Sequence, residues 1–298
     1  MRKLLVQVFT LLILVSCHAQ SKKYSYENIK IHGYNFKQLT IFVDKKTGDT
    51  LEIEGLMDVR TLIDGVPCEP EVSFSGDWTL SRFTLAEEHT FNGYILPAGT
   101  GIELKISIQP LKMHYFALRG SKNYAVNMCN FLADPVIDGV VYDHEYPVFF
   151  RKDWIFLGGI LAEDDTIAGN IFPTATYVRH DDDGSIHCFC PSDPVVQGYQ
   201  CSGTDYNRFL WTGGTGIILY PGGNLKYFQP VDEIEIGGVH CRPSASRGGV
   251  TLYENGRLKE CTSARDQTID GVFCGKKYNM KFDEHGGLIS AEKEKIFD

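Results

Sequence analysis

The densest gathering of ligand-type side chains lies in one short stretch, with His180, Asp181, Asp182 and Asp183 followed by His187, Cys188 and Cys190. Carboxylates with imidazole suit a divalent cation, and imidazole with thiolates suits zinc. The spacing argues against both. Successive side chains of an extended chain point to opposite faces, so adjacent aspartates diverge. A calcium loop needs alternate-position ligands, and a Cys-x-Cys pair without a second pair is a poor zinc cradle. Asp181, Asp183 and His187 are therefore weak metal candidates, expected to lie in a solvated turn ending at Gly184. No hydrolase elbow, metalloprotease helix, phosphate loop or dinucleotide fingerprint occurs, so no catalytic residue is nominated and no cofactor is implied. Aspartate and glutamate recur too often in turn-like contexts to single out a glycosidase pair.

Nine cysteines in a chain with a secretory start raise the question of disulfides. Cys68, Cys201, Cys241 and Cys274 each stand three residues after a recurring glycine, where other copies have Leu96, Tyr142 and Phe172. Exchange with large apolar residues marks them first as core fillers. Cys188 with Cys201 and Cys241 with Cys261 are the candidate bridges.

Those residues are positioned by a repeat. Ala86, Thr90, Phe91 and Gly93 match Ala162, Thr166, Ile167 and Gly169, and again Ala264, Thr268, Ile269 and Gly271. A shorter form, with an apolar residue two before a glycine, recurs at Gly65, Gly139, Gly198 and Gly238. Fixed-period self-similarity means one supersecondary unit per copy, each burying its apolar face against the next. Between the phrases lie hairpin signals. Around Asn255-Gly256, a three-residue loop with Gly256 left-handed pairs Leu252 with Leu258, and the same offsets pair Leu219 with Leu225 and Phe282 with Leu288. Ile102, Leu104, Ile106 and Ile108 alternate as one strand with a single buried face. The expected fold is all-β, an elongated stack of β-hairpin repeats with a period of about 30 residues, sheet-like or solenoid-like. Trp78 and Trp154 fall where Gly256 sits, so those two hairpins are expected not to share its turn. The pair forms either a contact patch or packing against a neighbouring copy.

The amino terminus has Arg2 and Lys3, an apolar run from Leu4 to Val15, then Leu14, Val15, Ser16 and Cys17. The run is too short for a bilayer span, which needs roughly 20 apolar residues, and reads as a secretory signal. Leu14 to Cys17 resembles the lipobox of bacterial lipoproteins. That resemblance implies removal of residues 1–16, lipid attachment at Cys17 and, with His18 following, the outer membrane. Ordinary cleavage after Ala19 is the alternative. Residues 17–34 then read as anchor and tether, and 35–298 as the repeat domain, with a sub-division near 110–135. The formal net charge is −9, which repels phosphate backbones and excludes nucleic acid as a partner. With 43% hydrophobic and 12% aromatic residues, the chain can bury a core.

Leu252 to Glu260, and more loosely Leu219 to Lys226, resemble the repeat of MORN-type proteins, especially the bacterial variant often labelled as antitoxin. The resemblance implies stacked hairpins offering a protein or lipid contact surface. Together these features lead to the expectation of a lipid-anchored envelope protein that binds or scaffolds a protein or glycan partner. The alternatives are an envelope hydrolase, with its site in the irregular copies between Gly93 and Gly139 or between Gly198 and Gly238, and a neutraliser of a secreted toxin.

Overall fold

The computed structural model describes residues 21–107, 125–203, 216–243 and 249–293. Every regular element among them is a β-strand. The chain divides into two compact units, one holding residues 1–108, 124–132 and 150–155, the other 109–123, 133–149 and 156–298. Cys17 lies outside the described residues.

In the first unit the strands are β1 (Ser21–Ile31), β2 (Tyr34–Asp44), β3 (Thr50–Met57), β4 (Thr61–Ile63), β5 (Val66–Ser75), β6 (Leu80–Leu85), β7 (His89–Phe91), β8 (Tyr94–Leu96), β9 (Gly101–Ser107) and β10 (Ala125–Asn130). Antiparallel pairing runs β1 to β2 to β3 to β5 to β6 to β9 to β10, with β4 folded back on β5 and β7 paired with β8. Strand β1 corrects the tether reading. It is paired along nearly its whole length with β2, from Ser21 opposite Asp44 to Ile31 opposite Tyr34. Most of its residues are exposed, so its composition reads like a linker's.

In the second unit successive main strands pair antiparallel from Phe156–Ile160 through Tyr177–His180, Ile186–Phe189, Ile217–Leu219, Leu225–Phe228, Val250–Leu252, Leu258–Thr262 and Tyr278–Phe282 to Leu288–Lys293. Leu219 faces Leu225, Leu252 faces Leu258 and Phe282 faces Leu288. All but Leu288 are buried, with Leu288 half-buried in the last strand.

Between main hairpins the glycine phrase folds into a short hairpin of its own. Ile167 faces Asn170 around Ala168 and Gly169, whose φ values are 47° and 80°. The same pair of positive values recurs at Asp64-Gly65, Asn92-Gly93, Asp138-Gly139, Gln197-Gly198, Gly237-Gly238 and Asp270-Gly271. Two left-handed residues in sequence make the turn whose twist matches antiparallel strands, which is why glycine holds the second position. The residue three after each glycine plugs the core. Cys68, Leu96, Tyr142, Phe172, Cys201, Cys241 and Cys274 are all buried.

Neighbouring short hairpins of the second unit are hydrogen-bonded in a row. Val141 N–H donates to Asp165 Oδ2 at 3.2 Å, Gln197 Nε2 to Asn170 Oδ1 at 3.2 Å, Val231 N–H to Gln200 O at 3.1 Å, and Ala264 N–H to His240 O at 3.0 Å. One copy therefore completes the polar groups of the next, as a stacked repeat requires.

Candidate functional site

Antiparallel register sets the polar residues of the first unit in line. Ser25 faces Thr40, Thr40 faces Glu54, Glu54 faces Ser73, Ser73 faces Arg82 and Arg82 faces Glu103. Their chain neighbours Leu39, Ile53, Val72, Phe83 and Ile102 point to the opposite face and are buried. The polar face forms an open groove of about 600 Å³, to which Gln38, Glu71, Thr84 and Asn130 also contribute.

Arg82 organises the groove. Its Nη2 donates to Ser73 Oγ at 3.1 Å and lies 3.4 Å from Glu54 Oε1 and 3.6 Å from Glu52 Oε1. Burial raises the pKa of Glu103, Arg82 opposes that rise, and the negative charge of Glu52 adds to it. The groove thus carries several carboxylate acceptors, a partly neutralised guanidinium, hydroxyls and amides along one line. Such a surface matches a ligand with many hydroxyl groups, since carboxylates and amides bond sugar-type hydroxyls in pairs.

Trp78 and Trp154 require a correction. They share the turn of Gly256 rather than departing from it. Gly256 N–H donates to Tyr253 O at 2.9 Å, and Trp78 N–H to Ser75 O and Trp154 N–H to Arg151 O do the same at 2.9 Å. Their φ values of 65° and 62° are left-handed. A bulky residue there is strained by about 1–3 kcal/mol, and ring packing offsets the strain. The Trp154 ring stacks on Phe91 with centroids 4.0 Å apart, and Trp78 lies 4.6 Å from His32 and 5.6 Å from Phe74. Both are half-buried. They pack against neighbouring residues of their unit.

The weak metal candidates do not converge. Asp181 Oδ2 meets His187 Nε2 at 2.8 Å and accepts from Arg179 Nη2 at 3.0 Å. Burial pushes the Asp181 carboxyl up, but His187 and Arg179 outweigh it and hold the group below its ordinary range. Asp183 instead accepts from Ser185 N–H at 2.9 Å and from Lys226 at 3.1 Å. Those bonds, with the backbone donor foremost, lower its pKa to about 2. Among the described residues the one group of three that gathers ligand atoms is Asp134, Asp143 and His144, within 4.8 Å of one another. A recurring clasp accounts for it. Asp134 accepts the N–H of His144 at 2.9 Å, as Asp164 accepts that of Thr174, Asp193 that of Gly203 and Asp266 that of Lys276, at 2.6–2.8 Å.

Cys241 and Cys261 are disulfide-bonded, with Cα atoms 5.9 Å apart. The Cys188 to Cys201 bridge is absent, and both are buried free thiols. Glu54, Arg82 and Glu103 went unnoticed in the sequence, because only strand pairing sets them side by side. No protein-family model matches the chain, and no curated protein matches it.

Proposed function

We propose that the protein is a lipid-anchored envelope protein that binds a glycan in the groove of its first unit. The observation that carries this reading is the cross-strand line from Thr40 to Glu103, an ordered set of hydrogen-bonding side chains in a concave face. The lipobox resemblance at Cys17 supports attachment to the outer membrane, where polysaccharide is at hand. Binding rather than turnover is the proposed activity.

Calorimetric titration of the purified chain with cell-envelope oligosaccharides tests this reading, with reducing-end release measured in parallel. Saturable heat that Arg82→Ala weakens at least tenfold is the expected result. Absence of binding across the panel would remove the glycan reading. Turnover lost in Glu103→Gln would replace binding by hydrolysis.

A second reading, a protein partner, has its own observation. Val136, Ile171, Val195 and Phe273 project from the short hairpins of the second unit and are 61–69% exposed. They stand beside buried Ile137, Phe172, Val196 and Cys274, so they form the outward face of the row. Crosslinking in intact cells followed by affinity capture tests for that partner. A stoichiometric protein lost on Ile171→Asp and Val195→Asp would establish it.

A further inference from the structure

We infer that the exposed tyrosine-bearing face of β1, which carries Lys22, Tyr24 and Tyr26, is a membrane-contact surface that seats on anionic lipid headgroups. The inference rests on the lipid attachment at Cys17 proposed above.

Alternation places Lys22, Tyr24 and Tyr26 on one face of β1, and all three are exposed, the tyrosines by 45% and 42%; past Asn28, whose φ of 50° interrupts the alternation, Lys30 is exposed as well. Aromatic rings carrying a polar tip, flanked by lysines, are the side chains that settle at a membrane–water interface. Charge points the same way. The whole chain carries a formal net charge of −9, yet β1 has Lys22, Lys23 and Lys30 against Glu27 alone. Juxtamembrane lysines gain about fivefold in affinity each from an anionic leaflet.

Covalent reach supplies the second argument. Only His18, Ala19 and Gln20 separate Cys17 from Ser21. Four Cα steps span at most roughly 14 Å, so a lipid on Cys17 holds the start of β1 close to the headgroups. The strand is firmly paired from its first residue, Ser21 opposite Asp44. A paired strand cannot serve as slack, and the acidic chain is thereby brought to the membrane by its basic edge.

The test uses lipidated full-length Tyr26→Cys carrying an environment-sensitive nitrobenzoxadiazole dye. The free cysteines among the described residues are buried and do not compete for the label. In vesicles of equal parts phosphatidylcholine and phosphatidylglycerol, the emission is expected to move to the blue and to be quenched by a headgroup nitroxide. As a second measurement, the lipid-free Cys17→Ala chain should bind the same vesicles weakly, and Lys22→Gln should reduce that binding by about fivefold. Vesicle-bound lipidated protein whose dye still reports water would overturn the contact surface while leaving the anchor intact. Failure of the lipidated preparation to partition at all would remove the Cys17 reading, and this inference with it. A blue shift that needs no vesicles and grows with protein concentration would assign the face to a second copy of the chain, and so overturn the inference as well.

Discussion

Trp154 shows how one side chain can hold a backbone that its own residue type disfavours. Its left-handed φ of 62° is stabilised by stacking on Phe91 and by a ring contact with Phe150. Trp154→Gly relieves the backbone but deletes the rings' contact, and aromatic packing of a half-buried ring outweighs the strain. Net destabilisation of about 1–2 kcal/mol is expected in chemical denaturation; a gain in stability would show that strain dominates. A second prediction concerns pH. His144 Nδ1 lies 2.6 Å from Asp134 Oδ1, and hydrogen bonding to that carboxylate raises the His144 pKa. The backbone N–H of His144, then its ring, lower that of Asp134. A raised histidine stabilises below its unfolded pKa and loses the effect as pH rises through the folded value. A lowered aspartate loses its effect as pH falls through its own folded value. The pair is therefore strongest between the two. Histidine NMR titration should find Asp134→Asn lowering the His144 pKa; an unmoved titration would mean that the two side chains do not meet in solution.

At the scale of the element, the repeat predicts a gradient. Ile167 is 4% exposed inside the row of short hairpins, whereas its counterpart Ile269 is only half-buried in the last one. Ile167→Asp buries an unpaired charge and should cost several kcal/mol, or about 3–5. Ile269→Asp should cost markedly less, since water reaches the site. Equal losses in thermal melts would contradict the row. The aspartate clasp gives another test, because Asp164→Ala leaves the Thr174 N–H without its acceptor and should cost about 1 kcal/mol. Much of this architecture was legible in the sequence. The glycine phrase marked each copy of the repeat, and the loop offsets gave Leu219 to Leu225, Leu252 to Leu258 and Phe282 to Leu288. What was hidden had physical causes. Three-residue strands such as Asp165–Ile167 are too short to show alternation, so nothing local marks the phrase as a hairpin of its own. Strand β1 faces solvent over most of its length and so looks like a linker. The groove depends on β3 pairing with β5 past β4, a long-range choice that no local pattern encodes.

At the scale of the whole molecule, the question is what an oxidant does to a chain whose described residues hold one disulfide and six buried thiols. Cys241 and Cys261 close a loop with a sequence separation of 20. Cross-linking a loop of that length restricts the unfolded chain by about 3 kcal/mol. The other cysteines among the described residues serve as core side chains. Burial pushes the Cys68, Cys190 and Cys201 thiols up to about 12, far from the thiolate needed for exchange. Burial acts in the same direction on Cys129, Cys188 and Cys274. In the native state, therefore, an oxidant meets no reactive thiol among the described residues, and the single bridge is protected from scrambling by the same packing. Two measurements on one sample check this. A water-soluble maleimide should leave all six buried thiols unmodified in buffer and label them in denaturant. Addition of a reductant should lower the unfolding free energy of the second unit by about 3 kcal/mol and speed hydrogen exchange around residues 241–262. Rapid native labelling would mean that the cores open readily, and the cysteines would then be redox-exposed groups. An unchanged denaturation midpoint on reduction would mean that the bridge adds nothing to a sheet already held by its ladder, leaving hairpin stacking to carry the stability of the repeat.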